Sequence, residues 1–346
     1  LDKLYNWALE ERLISDLPFR YARARGRANQ FAAAARRNRS YEAPSVERGG
    51  KGVSPDLYAK FREHGLSGRN LPGRAKSRHR NGARNVAFAD LLVTSGLRLQ
   101  EASALITFEW RFGPHRGVSS PNAFFRPGKS STKGSKKRKT IIPSKVIRAI
   151  DDYVRIERSL AVAKGYERKI WEDMPDAIFI RERTVGQCEI KTEFGWRLTD
   201  RDSLTPDVRY RLVECSEDGE PLGFACLWLT EVGRPVDPNT WEVAFRRACA
   251  RCHSVGIDVD ITPHTLRHTF ASYILPAIEK MFARLEAETG VPQGNPIRHL
   301  QHMLGHSSSE TTALFYLPAL GADELTVDQH IDAFFVAFTG SGDASR

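Results

Sequence analysis

The apolar positions of the chain repeat with a helical period over most of its length and with a period of two only locally. Leu4, Trp7, Ala8 and Leu13 fall at roughly helical spacing and stop before Pro18, which predicts one short helix. Ser54-Pro55-Asp56 is a helix start, with serine at the cap and proline in the first turn. A mostly apolar helix is expected over 85–94. Ile106, Phe108, Trp110 and Phe112 alternate with polar residues, the mark of a half-buried strand. A hairpin is expected over 124–143 with a basic tip at 129–139, followed by a helix striped by Val146, Ile150, Tyr153 and Val154.

Helical spacing returns at Trp241, Phe245, Ala248, Cys249 and Cys252 and ends at Gly256. It returns again from His264 to about Glu288 with a bend at Pro276, and once more from Pro296 to Leu304, where Gly305 stops it. Ile331, Phe334, Phe335 and Phe338 share one face of a tail helix over 326–340. Between 164 and 224 the pattern is weaker. Residues 177–179 and 210–213 read as strands and the rest as polar, so this stretch is expected to be an insertion. The fold class that follows is mainly α with a small antiparallel β-sheet, an α+β domain over 54–340. Its size suits the 346 residues, of which 41% are hydrophobic.

Charge changes the picture because it is uneven. The chain has 52 Lys and Arg against 42 Asp and Glu, a net of +10. Residues 20–84 hold 17 basic and 4 acidic residues, and residues 126–139 hold 7 basic and none acidic, so the remainder is acidic by 10. The basicity therefore belongs to two segments, the pattern expected for a polyanionic partner held on one side. Residues 20–53, rich in Arg, Gly, Asn and Ser, read as a basic linker or arm. Arg36, Arg37, Arg39, Arg78, Arg80, Lys136, Lys137 and Arg138 are the candidate contacts to that polyanion.

Four strings carry candidate chemistry: Thr94-Ser95-Gly96-Leu97-Arg98-Leu99-Gln100-Glu101, Ser131-Thr132-Lys133-Gly134, His264-Thr265-Leu266-Arg267-His268, and Leu304-Gly305-His306 with Tyr316 ten residues later. His264 and Arg267, three apart on a helix, can converge on one anion. Arg98 follows a glycine at a junction where the chain can turn inward. Two guanidiniums offer planar, permanently charged forks that match the oxygens of a phosphorane-like transition state. A phenol such as Tyr316 needs a cationic pocket or a base before it can attack phosphorus.

In this order the strings resemble the catalytic domain of the tyrosine recombinase, or phage integrase, family. The resemblance implies DNA strand cleavage through a 3′-phosphotyrosyl intermediate, with Arg98, Lys133, His264, Arg267, His306 and Tyr316 as the catalytic set and Glu101 as a structural support of Arg98. It implies that Tyr316 is the nucleophile, that a lysine of the hairpin (Lys133, among the neighbours Lys136, Lys137 and Lys139) protonates the leaving 5′ oxygen, and that His264 and His306 act on the phosphate. No metal or other cofactor is expected. It also implies a tetramer on two double-stranded DNA sites, with a C-terminal helix either exchanged with a neighbour or docked on its own domain. Residues 1–19 would then be the last helix of a core-binding domain mostly absent from this chain, which opens on Leu1 rather than Met. A type IB topoisomerase-like relaxation of DNA, or a non-catalytic DNA-binding regulator, are the alternatives.

Two further patterns point elsewhere and are set aside. Cys249 and Cys252 with His253 fit a haem-attachment string, but both thiols lie on the apolar stripe of their helix. His299, His302 and His306 have metal-ligand spacing without a fourth ligand nearby. With no apolar run of about 18 residues and no secretory leader, the expectation is a cytoplasmic, nucleoid-associated bacterial protein with reduced thiols and no membrane contact.

Overall fold

The computed structural model describes residues 21–23, 36–38, 52–68, 81–111, 122–125, 140–184, 186–292, 294–304 and 338. The chain divides into two units, Leu1–Gly50 and Lys51–Arg346. In the first, β1 (Tyr21–Arg23) pairs antiparallel with β2 (Arg36–Asn38), a short ribbon within the segment read as an arm. The expected first helix lies outside the described residues.

The second unit is mainly helical. Ser54 caps α1 (Pro55–Lys60) by accepting the Leu57 N–H, and the helix runs on into π-helical turns over Phe61–Leu66. Next comes α2 (Gly82–Ser95), buried along nearly its whole length at the centre of the unit. Short helices α3 (Leu99–Ser103) and α4 (Thr107–Arg111) follow. The hairpin is β3 (Asn122–Phe125) with β4 (Thr140–Pro143), antiparallel in the register Phe125 to Thr140. Helix α5 (Ser144–Tyr153) leads through π-helical turns into α6 (Ser159–Glu167). After a sheet come α8 (Pro238–His253), α9 (Pro263–Thr289), with Pro276 inside it, and α10 (Pro296–Leu304). No helix among the described residues is long and apolar enough to cross a membrane.

The core of this unit is aromatic. Phe88 of α2 stacks on Trp241 of α8 with ring centroids 3.6 Å apart and meets Trp228 edge-on at 5.3 Å. Cys249 and Cys252 are buried on the same side of α8, and all five cysteines are free thiols. Cys252 packs in the core, and burial pushes its thiol up to about 11.

The sheet corrects the sequence reading in two places. Its strands are β5 (Ile178–Thr184), β6 (Gln187–Thr192), β7 (Gly195–Asp200), β8 (Leu212–Cys215) and β9 (Pro221–Phe224), in the order β7-β6-β5-β8-β9. It is mixed rather than antiparallel, because β8 pairs in parallel with β5, Phe179 lying opposite Val213. The crossover that permits this includes α7 (Pro206–Arg209), since parallel neighbours cannot be joined by a tight turn. The second correction concerns the strand expected over 106–112, of which residues 106–111 are described. These do not form a strand: Ile106 makes an isolated bridge to Cys226 and the chain then coils into α4. Thr107 and Glu109 are buried there as well as Phe108 and Trp110, so the alternation marked a helix enclosed on all sides, not a strand with one wet face.

Candidate active site

The site begins where α2 ends. Gly96 adopts a left-handed conformation (φ 60°) and closes the helix by donating its N–H to Leu92. A Cβ at this position would stand 2.3 Å from the Phe270 ring of α9 and 3.1 Å from Leu304 of α10. Glycine is therefore required on two counts, backbone and space, and its absence of a side chain lets three helices meet at one point. Leu97 then buries itself, the backbone extends at Arg98, and α3 starts.

Glu101 on α3 is 1% exposed at its side chain and holds Arg98 twice. One carboxylate oxygen accepts the Arg98 backbone N–H at 2.8 Å and the other accepts Nη1 at 2.9 Å. The Arg98 side chain remains 23% exposed, so its fork is steered without being enclosed. A bidentate hold of this kind fixes orientation more than it adds stability.

Helix α9 supplies the facing residues. Thr262 caps it by accepting the Thr265 N–H, and the Thr265 hydroxyl returns the contact to the Thr262 backbone N–H. With Pro263 in the first turn, the backbone carrying His264 and Arg267 is thereby held rigid. Arg267 is buried, and its guanidinium donates Nη1 to the Gly96 carbonyl and Nη2 to the Leu304 carbonyl, the latter at 2.7 Å. One side chain thus joins the end of α2, two residues before Arg98, to the end of α10, two residues before His306. The hydroxyl of Thr140 donates to the carbonyl of Ser95, so the strand that leaves the basic hairpin tip is also tied to the end of α2. His264 is exposed and its Nε2 lies 2.7 Å from Nε2 of His268, a half-buried residue one turn on.

The structure therefore brings Arg98, Glu101 and Arg267 to the end of α2, and His264 lies one turn before Arg267 on α9. Lys133, His306 and Tyr316 lie outside the described residues, as do Arg39, Arg78, Arg80, Lys136, Lys137 and Arg138. Arg36 and Arg37 belong to β2, where Arg36 pairs with Arg23. Of the tail, Phe338 is buried against the chain's own Tyr58 and Tyr273, with ring centroids 5.6 and 5.0 Å away. Sequence reasoning did not assign roles to Thr140 and His268. Spacing could have found His268, four residues after His264 on a helix, whereas nothing local marks Thr140.

No family model matches the chain. Among curated proteins it is 36% identical over 76 residues to tyrosine recombinase XerD of Lacticaseibacillus casei, covering 22% of this chain and 20% of that one. With tyrosine recombinase XerD of Pseudomonas putida it shares 28% identity over 171 residues, 41% of this chain and 51% of the relative. An integrase/recombinase of Escherichia coli is 25% identical over 228 residues, 66% of this chain and 52% of the relative. The chain is similar to the tyrosine recombinases. It spans from about a fifth to about half the length of these recombinase relatives. Solved recombinase structures similar to it include XerA, at 17% identity and a TM-score of 0.38 over 82% of this chain and 65% of that one. XerH in a pre-cleavage complex with its difH substrate gives 13% identity and a TM-score of 0.41 over 85% of this chain and 56% of that one.

Proposed function

We propose that this chain is a site-specific DNA recombinase of the integrase or transposase type, which cleaves and rejoins double-stranded DNA through a 3′-phosphotyrosyl intermediate. The observation that carries the reading is the double hold of Arg267 on the Gly96 and Leu304 carbonyls. It ties the end of α2, two residues before Arg98 in sequence, to Leu304, two residues before His306 in sequence, and the curated relatives named tyrosine recombinases supply the reaction class.

In the proposed reaction the Tyr316 oxygen attacks a backbone phosphorus. A Tyr–O–P bond forms as the bond to the 5′ oxygen breaks, and Lys133 gives that oxygen its proton. Arg98 and Arg267 stabilise the extra negative charge of the transition state, where preorganised cations act most strongly. His264 acts as the general base that takes the phenolic proton of Tyr316 or as a hydrogen-bond donor to the phosphate, and His306 donates to the scissile phosphate. The bond energy stays in the phosphotyrosyl link until a 5′ hydroxyl of the partner strand attacks it, so neither a metal nor another cofactor is required. Arg36, Arg37, Arg39, Arg78, Arg80, Lys136, Lys137 and Arg138 contact the backbone of the duplex. Residues 54–340 act as the catalytic domain, residues 20–53 as the linker and residues 1–19 as the end of a core-binding domain, in a bacterial protein working on the nucleoid. The working assembly is a tetramer on two DNA sites. Exchange of the tail between protomers requires the Phe338 contact with Tyr58 and Tyr273 to form between chains instead of within one.

The test is incubation with a pool of nicked duplexes of randomised sequence that includes the DNA flanking the coding region, followed by a denaturing gel. A covalent adduct is expected with the intact chain and none with Tyr316→Phe. An adduct persisting in Tyr316→Phe would overturn the nucleophile assignment. A bridging 5′-sulfur substrate separates Lys133 from its neighbours, because a thiolate leaves without a proton: it is expected to restore cleavage to Lys133→Ala and to leave phosphate-binding variants such as Lys136→Ala unchanged.

A further inference from the structure

The geometry points to a transition-metal site at the start of α9, made by the imidazoles of His264 and His268. They are four positions apart, so they stand one above the other on the helix, and their Nε2 atoms share a hydrogen bond of 2.7 Å, with the rings perpendicular at 86° and centroids 4.2 Å apart; an ion would replace the shared proton. Such a pair is half of a chelate. The backbone beneath it is fixed by the Thr262 and Thr265 caps, so little order remains to be imposed when an ion binds.

Ligand type narrows the ion. With metal–nitrogen bonds of about 2.0 Å, two ligands stand about 2.8 Å apart at a right angle and about 3.3 Å apart at the tetrahedral angle, so the pair reaches either with a small ring movement. Among divalent ions Cu²⁺ binds nitrogen ligands most strongly and is the ion of choice. Neutral imidazoles would ligate through Nε2 with their remaining proton on Nδ1, and water would complete the coordination. Mg²⁺ and Ca²⁺ are excluded by ligand type, since they take oxygen donors, and the positive end of the helix dipole opposes any ion not held by strong nitrogen bonds.

An ion in this position engages His264, which the proposed strand cleavage needs free for the phosphate. Resting on that reading, the site is inhibitory: metal binding and cleavage compete for one imidazole. The binding itself does not depend on the reading, and it is measured without DNA. The chelator-treated chain is titrated with CuCl₂ and followed by electron paramagnetic resonance and by calorimetry. The intact chain is expected to show a site with couplings from two imidazole nitrogens. His268→Gln and His264→Gln are each expected to lose one binding equivalent and that two-nitrogen signal, with circular dichroism unchanged. Identical stoichiometry and affinity in the intact chain and in both variants would overturn the site. A chain that binds copper in this way but forms no adduct with DNA would keep the metal site and sink the recombinase reading. Adduct formation insensitive to saturating copper would remove the competition.

Discussion

Two regions of the second unit are joined to its core in opposite ways. Around Gly96 the helices meet by close approach, backbone against the Phe270 ring, with the Arg267 guanidinium drawn onto two helix-end carbonyls. The five-stranded sheet is instead held by buried arginines. Arg209 is fully enclosed, donating to the carbonyls of Leu204 and Ala104 and pairing with Glu109 at 2.7 Å, and Arg158 donates to the carbonyls of Phe224, Cys226 and Leu227. Beyond these joints the outer strands β6 and β7 are largely solvated. The site region therefore tolerates no added volume, whereas the sheet region tolerates no lost charge at its joint and almost any change at its rim.

The largest effect expected from this contrast is at the joint. Arg209→Met leaves the Glu109 carboxylate buried without its partner, which costs roughly 3–5 kcal/mol when one member of a buried pair is removed. A urea unfolding midpoint lowered by that amount is expected, and Arg209→Met with Glu109→Leu together should recover most of it. If the single variant is as stable as the parent, the charge joint is not what holds the sheet.

At the site the corresponding change is a single methyl. Gly96→Ala forces a Cβ into the Phe270 ring in a left-handed conformation. Overpacking costs roughly 1–3 kcal/mol and the left-handed backbone roughly 1–2 kcal/mol more. Because Arg98 and the carbonyl held by Arg267 move with it, DNA adduct formation should fall further than stability does. Gly96→Ala together with Phe270→Ala, which opens the space but not the backbone, should return part of each.

How much of this was legible beforehand differs between the regions in the same way. Helices α8, α9 and α10 were readable because each sets an apolar stripe against one core, and α2 because it is apolar along most of its length; the meeting of Arg98, Glu101 and Arg267 at the end of α2 follows strings that fall in order along the chain. The joint was not. Arg209 and Arg158 look like any surface arginine in sequence, and only the carbonyls that surround them, far away along the chain, make them interior. Strands β6 and β7 gave no signal because few of their residues are buried, so alternation of apolar and polar positions had nothing to record. Residues 106–110 gave a false one, since burial on every side imitates a period of two when polar residues such as Glu109 are enclosed by a buried arginine.

Acid and base should also act on the regions with opposite sign. Burial raises the Glu279 carboxyl of α9 from 4.5 to about 7, and its Oε2 has no hydrogen-bond partner among the described residues. A carboxyl that holds its proton more tightly when folded takes up protons on folding between those values, so its contribution falls as pH rises from about 4.5 to about 7. In the sheet, hydrogen bonds from Arg181 and then Arg183 hold Glu189 below its usual value, so that contribution is present at neutral pH and is lost as pH falls. Glu279→Gln is expected to remove an alkaline-side loss on the order of 2–3 kcal/mol, measured as unfolding midpoints from pH 4 to 8. Glu189→Gln should flatten only the acid side. A pH profile unchanged in Glu279→Gln would mean that the carboxyl meets water in the folded chain.

The smallest effect belongs to the rim. Phe194 sits in the turn between β6 and β7 with 93% of its surface exposed, and Leu198 on the edge strand is 54% exposed. Neither touches the joint made by Arg209 and Arg158. Phe194→Ser is expected to change the unfolding midpoint by no more than about 0.5 kcal/mol, the range of surface substitutions that remove no buried contact. The turn itself is kept by Thr192, whose hydroxyl donates to the Gly195 carbonyl and accepts the Phe194 N–H, and the substitution leaves those bonds in place. Because β7 is an edge strand among the described residues, with these apolar side chains beside it, the variant should nevertheless be more soluble at high concentration, as light scattering would record. A large loss of stability would show that the ring is covered in solution, and the rim would then join the site region as a place where packing, not solvent, sets the rules.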